Sequence, residues 1–549
     1  MRRNTKRQVL WIGLLLLVLG TVTLLYWGNQ KQVWFCDEIY TYESANGFEQ
    51  DWPAEHTGEW MTGADVESFF AADSATLSLN DITIRLYSDH VPLYFWLFRI
   101  LSFYVFKGSG TIWIGLSLNL VFYLLFLALV YGSFCRLTGK PVISGVCVVL
   151  SCIVNRLVLE QATTLRMYMM LLLAEGLLLL GGFWILRNAE REKMSFGVFA
   201  YLLAVSLFGF LTHYDFWIFY AVTAACFCLW LLLVAVGKQR KGQERFWISR
   251  EFRYVLAWTG NFAVSIFVTT WIFPYCKWNL NRGKGEMALH SVFDFSGEKL
   301  QQIGWGYQRL AASVFGEKIP AAAGLAVMFC YIAGGAVILY RKKEVKKLTG
   351  LLLTVLIAQL YQLVVCFTLP DAWEERYLWG TFTFMMLCMV WGAVLLGQFI
   401  FSKIRNDRTR KICQIALPTV LVICTLGGEA AVIEGGKGIA YLLQPEKDMS
   451  ALEECSGIPW LVYGPTVGVY SYYDWIIPER ICFLTSENTP EDAAAVRGLE
   501  GESSFVLYSY EDLCEQAIGF FEQELGKTIT VEYLTKSTNL TVYLVNLEN

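Results

Sequence analysis

Residues 1–28, MRRNTKRQVLWIGLLLLVLGTVTLLYWG, place Arg2, Arg3, Lys6 and Arg7 directly before an apolar run. A helix rises about 1.5 Å per residue, and roughly 20 predominantly apolar residues cross the hydrocarbon core of a bilayer. No small-residue cleavage site follows the run, so it reads as an uncleaved first helix with a cytoplasmic N-terminus. The same alternation recurs along the chain. Basic clusters at Arg136/Lys140, Arg187 to Lys193, Lys238 to Arg253, Arg341 to Lys347 and Lys403 to Lys411 each separate two apolar runs. With every cluster cytoplasmic, spans fall near 9–28, 110–134, 141–158, 166–186, 195–211, 216–237, 254–274, 319–340, 350–369, 378–401 and 412–427. The expected fold is therefore a polytopic α-helical membrane protein of about eleven spans, its C-terminus extracytoplasmic.

Composition agrees with lipid as the solvent: of 549 residues, 55% are hydrophobic and only 17% charged. Backbone amides in hydrocarbon must bond internally, which makes the spans helices. A net charge of -4 gives no reason to expect a nucleic-acid partner. The 15 cysteines include many inside apolar runs (Cys147, Cys152, Cys226, Cys228, Cys366, Cys388), without metal-ligand spacing. Cys455, Cys482 and Cys514 fall in the expected outside domain, where a disulfide is chemically permitted and an odd number leaves one thiol over.

Val91 to Phe106 is apolar but short and carries Arg99. Counting it as a span would reverse the side of every later basic cluster, so it is expected as an amphipathic helix at the outer interface. It ends a first outer loop, 29–109, that is rich in acids. The membrane module then runs over 1–427 and an outer α/β domain over 428–549. In that domain Trp460 to Tyr463, Ile481 to Leu484, Phe505 to Tyr508, Ile529 to Tyr533 and Thr541 to Val545 read as strands, the last two as a hairpin. Glu511 to Leu525 has helical apolar spacing. No Gly-rich phosphate loop and no long-period repeat is present, and the Asn539-Leu540-Thr541 sequon carries no weight.

With the basic clusters set aside, the unusual polar groups are Asp37-Glu38, Asp89-His90, Glu160 with Arg166 and Tyr168, His213-Tyr214-Asp215, and Glu374-Glu375-Arg376-Tyr377. All fall at outer helix ends, although the topology came from basic residues alone. Helix neighbours point about 100° apart, so one of Asp37 and Glu38 is expected to face a reaction and the other to serve the structure. Arg166 and Arg376 suit a phosphate or diphosphate; the plainer reading is snorkelling to lipid headgroups. Two of the four histidines, His90 and His213, border apolar helices on the same side and can ligate a metal or hydrogen-bond a sugar or phosphate. His56 and His290 have no supporting context. Glu175, inside a span, is a functional candidate by its position alone.

In order, Asp37-Glu38, His90-Val91-Pro92-Leu93-Tyr94, Arg166-Met167-Tyr168, Thr212-His213-Tyr214 and Glu375-Arg376-Tyr377-Leu378 resemble the pattern of GT-C glycosyltransferases. The likeness is to family 39, the protein O-mannosyltransferases and bacterial aminoarabinose transferases. It covers roughly residues 1–400 in motif order, and the outer domain is similar in placement to the C-terminal domains of bacterial members. The resemblance implies transfer of a sugar from a polyprenyl-phosphate donor to an acceptor (lipid, protein or cell-wall polymer) outside the cytoplasmic membrane. It maps the catalytic carboxylate onto Asp37, with Glu38 beside it, and lipid-phosphate and substrate contacts onto His90, Arg166, Tyr168, His213, Tyr214, Glu375, Arg376 and Tyr377. A divalent metal, if used, would draw on Asp37, Glu160 and His90. Two departures stand out: His-Val-Pro-Leu-Tyr replaces His-Pro-Pro-Leu-Tyr, and Thr164-Leu165 stands where an acid often precedes the Arg. The rival class is a transporter or lipid flippase, which would place its polar groups near the midplane, where Glu175 lies.

Overall fold

The computed structural model describes residues 3–31, 34–46, 56–71, 77–86, 90–189, 196–280, 286, 291, 296–316, 318–369, 373–406, 449–464, 478–537 and 540–548. Among them, eight helices are long and apolar enough to cross a membrane: Thr5–Asn29, Trp113–Thr138, Tyr168–Ala189, Asp215–Arg240, Arg250–Ile272, Ala321–Arg341, Val345–Thr368 and Glu375–Ser402. Each coincides with an expected span. The first is lined with exposed Leu10, Trp11, Leu14, Leu15, Val18 and Val22, a surface suited to lipid.

Three expected spans need comment. The one near 141–158 is a bent pair, Pro141–Ile153 followed by Arg156–Thr163, with 59° between the two pieces. Asn155 causes the break: its side chain accepts from Leu157 N at 3.1 Å and caps the second helix. The segment at 195–211 forms Phe196–Phe210, whose 15 residues reach about 22 Å, short of a full hydrocarbon core. The segment at 412–427 lies outside the described residues. Val91 to Phe106 forms the short helix Leu93–Tyr104, as expected, but Arg99 is 1% exposed and so turns inward rather than toward a polar surface.

Five strands of the C-terminal region and one from the first loop form a six-stranded sheet. Its strands are β1 (Trp60–Thr62), β2 (Trp460–Tyr463), β3 (Arg480–Leu484), β4 (Ser504–Ser509), β5 (Thr528–Ser537) and β6 (Leu540–Glu548), in the order β1-β3-β2-β4-β6-β5. β2 pairs in parallel with β3 and β4, and β5 and β6 form the expected antiparallel hairpin. The expected helix at 511–525 appears as a 3-10 turn, Glu511–Leu513, leading into Cys514–Leu525. A second helix, Pro490–Arg497, was not legible from apolar spacing; it opens with a reciprocal Thr489/Asp492 capping box. Along β2, Leu461 and Tyr463 pack against these two helices, while Trp460 and Val462 join the core continuous with the membrane helices. Burial on both faces explains why the strand reads as an unbroken apolar run. The described cysteines, Cys455, Cys482 and Cys514 included, are free thiols.

β1 comes from the first loop and pairs antiparallel with β3, Trp60 opposite Cys482 and Thr62 opposite Arg480. Trp60 donates to the Ala495 carbonyl at 3.1 Å, and the Arg480 guanidinium lies 4.7 Å from its ring. The loop that carries the acidic residues is thereby joined to the C-terminal sheet.

Close helix contact depends on glycine where Ala321–Arg341 meets Trp379–Ser402. A Cβ on Gly335 would lie 2.9 Å from the Gly392 Cα, and one on Gly392 would collide with the Tyr331 carbonyl. Nothing lies within 4 Å of a Cβ on Gly132. Gly392→Ala is expected to destabilise by about 1–3 kcal/mol, the range for overpacking, whereas Gly132→Ala is neutral or mildly stabilising. Thermal unfolding in one detergent checks this: equal melting temperatures for the two variants would contradict the packing.

Candidate active site

After the first span the chain turns at Phe35 into the helix Cys36–Asn46. Glu38 reaches back to accept from Phe35 N at 2.7 Å, the side-chain half of a capping box. Its two oxygens also lie 3.0 and 2.9 Å from Lys31 Nζ, and Oε1 accepts from Leu165 N at 2.7 Å. Both side chains are 0% exposed. Burial pushes the Glu38 carboxyl above its ordinary range, opposed by Lys31 and the two N–H donors. Glu38 is thus committed to the fold, which corrects its assignment as a catalytic group: no face of it is open to a substrate.

Asp37, one residue earlier, points elsewhere. Its Oδ2 lies 2.7 Å from Arg376 Nη1, and it is 18% exposed. Arg376 sits on the 3-10 turn Glu375–Leu378 that leads into its span. Its other terminal nitrogen pairs with Glu374, and Phe35 and Tyr377 place their rings 5.5 and 5.4 Å from the guanidinium carbon. Glu375 pairs with Arg309 on the helix Gly297–Phe315. An anion so placed repels phosphate, so Glu375 anchors the turn instead of binding the lipid phosphate expected of it. Cys36 is no nucleophile at neutral pH, because burial and then the Asp37 charge push its thiol up to about 11.

Arg166 occupies the bend before Tyr168–Ala189 and is 3% exposed. It donates to Thr41 Oγ1 at 3.1 Å and meets His90 Nε2 at 2.8 Å. Guanidinium only donates, so Nε2 accepts and His90 is neutral in this arrangement. Tyr94 donates to Asn119 Oδ1 at 3.2 Å, and Asn119 donates to the Thr164 carbonyl at 2.5 Å. The two ends of His90-Val91-Pro92-Leu93-Tyr94 therefore hold the Arg166 bend from both sides. Thr41 in turn bonds the Asp37 carbonyl at 3.2 Å, which links the two arginine sites through one helix turn.

His213 stands 6.4 Å from His90 and 5.9 Å from Tyr168, centroid to centroid, with Asp215 at 3.3 Å from its Nδ1. Tyr168 packs edge-on against Trp379 at 5.2 Å. The structure therefore brings together Asp37, His90, Arg166, Tyr168, His213, Arg376 and Tyr377. The Tyr214 phenol instead takes a hydrogen bond from Asn279 at 2.8 Å, and Asp89 and His290 lie outside the described residues. His56 pairs with the exposed Glu59 at 3.5 Å.

As for a metal, Asp37, Glu160 and His90 do not form a shared ligand set. Among the described residues no three His, Cys, Asp or Glu side chains converge to hold an ion. The Asp37 charge is met by Arg376, and the His90 acceptor nitrogen is taken up by Arg166. Sequence reasoning missed Lys31, Thr41 and Arg309. The one available signal was Lys31 itself, a base just past a span in an acid-rich loop.

No protein-family model matches the chain, and no curated protein matches it. Among solved structures it is similar to apo ArnT from Cupriavidus metallidurans (10% identity, 97% of each chain covered, TM-score 0.46). It is likewise similar to the same protein bound to undecaprenyl phosphate (9% identity, 97% of each chain, TM-score 0.48). A third is the archaeal oligosaccharyltransferase AglB from Archaeoglobus fulgidus with an inhibitory peptide and dolichol-phosphate (10% identity, 95% of this chain and 74% of that one, TM-score 0.40). Identity this low leaves the chemistry to be argued from this chain's own residues.

Removing one partner of a buried ion pair leaves an uncompensated charge and costs about 3–5 kcal/mol. Lys31→Ala is therefore expected to lower thermal stability sharply, and the double variant Lys31→Met/Glu38→Gln much less. Equal losses in the two proteins would show that the pair does not act as a unit.

Proposed function

We propose that the chain is a glycosyltransferase that moves a sugar from a polyprenyl-phosphate-linked donor to an acceptor on the extracytoplasmic face of the cytoplasmic membrane. The observation that carries this reading is the Asp37–Arg376 contact, an acid from the first loop against a cation from the last described span, with Arg166 and His90 one helix turn away.

The chemistry asks for little more. The donor is a phosphodiester, so its carrier phosphate is a good leaving group and gains negative charge as it departs. Arg376, and Arg166 behind it, are cations placed to stabilise that charge. A phosphate approaching Arg376 competes with Asp37 for the guanidinium and frees the carboxylate to act as a general base. Asp37 takes the proton of the acceptor O–H or N–H, the acceptor atom bonds to the anomeric carbon, and the carbon–oxygen bond to phosphate breaks with its electrons on the carrier. One displacement of this kind inverts the anomeric centre.

The transporter reading draws on Glu175, which is buried within a span. Collection of Asp37, His90, Arg166 and Arg376 at helix ends favours a reaction at an interface over passage through the midplane.

The test is transfer of radiolabelled sugar from polyprenyl-phosphate donors in membranes containing the full chain. Asp37→Asn is expected to lower turnover by about 10²–10⁴-fold, the usual worth of a general base. Arg376→Ala is expected to abolish it, with Arg376→Lys restoring little because Lys lacks the planar fork. Full activity in Asp37→Asn would remove the base assignment; retained anomeric configuration in the product would remove the single displacement.

A further inference from the structure

The span Asp215–Arg240 starts beside the candidate site and runs 26 residues, about 39 Å, to its far end. Residues 241–249 then lead straight into the span Arg250–Ile272. Two links hold this connection in one shape. Lys238 Nζ lies 2.6 Å from Glu251 and 3.9 Å from Glu244, so one base faces both acids. Ser249 donates to the Phe246 carbonyl at 2.6 Å and accepts from Phe252 N at 3.3 Å, which caps the second span. The Phe252 ring stands 4.9 Å from Phe246 and 5.0 Å from Trp247, bracing the 3-10 turn Phe246–Ile248.

The outward surface of this connection is basic and apolar together. Trp247 is 73% and Ile248 53% exposed, with Arg240, Lys241, Arg245 and Arg253 exposed around them. Residues 238–253 hold six bases and two acids, and both acids are the ones turned to Lys238. A connection this short, tied at both ends to helices longer than the roughly 30 Å hydrocarbon core, stays at headgroup depth. There an indole has an apolar side to enter and a wet side for its N–H, and the anions within reach are those of lipid. We propose that this connection, at the end of the span remote from the candidate site, is a docking surface for anionic phospholipid. Trp247 and Ile248 enter the boundary between headgroups and acyl chains, and Arg240, Lys241, Arg245 and Arg253 meet the acidic headgroups.

The test uses purified full-length protein in vesicles of equal parts phosphatidylcholine and phosphatidylglycerol. Bromine, a contact quencher of indole fluorescence, is carried on the acyl chains of one lipid or the other. The Trp247 signal is the difference between wild type and Trp247→Phe. It is expected to be quenched about twofold or more strongly when phosphatidylglycerol carries the bromine. The same difference measured in Arg240→Gln/Lys241→Gln/Arg245→Gln keeps the quenching and loses the preference, and molar salt has the same effect on wild type by screening exposed charge. Thermal unfolding shows whether the charge variant keeps its fold, and the salt series carries the test if it does not. Equal quenching by the two lipids in wild type, or a preference that survives both charge removal and salt, overturns headgroup recognition. A Trp247 signal that neither lipid quenches overturns the proposal altogether, since the connection then faces water, as a site for a soluble partner would.

Discussion

A carboxylate without solvent holds the site together. Removing a charge from water costs several kcal/mol, so Glu38 is tolerated only because Lys31 and the N–H groups of Phe35 and Leu165 answer both its oxygens. Those partners come from the end of the first span, from the turn into the next helix and from the bend that carries Arg166. Asp37 is the residue before Glu38, and Arg166 is the residue after Leu165. One buried ion thus sets the backbone of an acid and of a base that lie far apart in the chain, and the candidate chemistry inherits its geometry from a group that takes no part in it.

The second arginine is positioned differently. Arg376 rides on a short turn, with Glu374 on its other side and Glu375 turned away to Arg309. Four charges within three consecutive residues and one helix partner give that turn little freedom. The Asp37 side is therefore held by a desolvated ion pair, and the side proposed to receive phosphate by a set of paired charges.

What was legible in the sequence follows from local physics. Transfer of apolar runs to lipid and the placement of Lys and Arg depend on nearby residues only, and they located the eight long helices. Two-sided burial marked β2, β3 and β4 as apolar runs. The Asp37-Glu38 pair could be read as one working and one structural acid from helix geometry, but which was which depended on Lys31 and Leu165. A single Asn155 cap turned one span into two pieces, and Arg309 arrived from Gly297–Phe315, a helix outside the expected spans. These failures share a cause: each turns on a partner chosen by tertiary contact, which no window of neighbouring residues contains.

β1 has a consequence for assembly. Its three residues leave the membrane early, yet β3, the strand they need, is among the last parts of the chain to be made. Until then the acid-bearing loop lacks its pairing partner, so biosynthesis passes through a stage in which the helices precede the completed candidate site. Once zipped, the same three-residue clasp acts as a hasp: the C-terminal sheet cannot swing clear of the membrane helices without first unfastening the loop that carries Asp37.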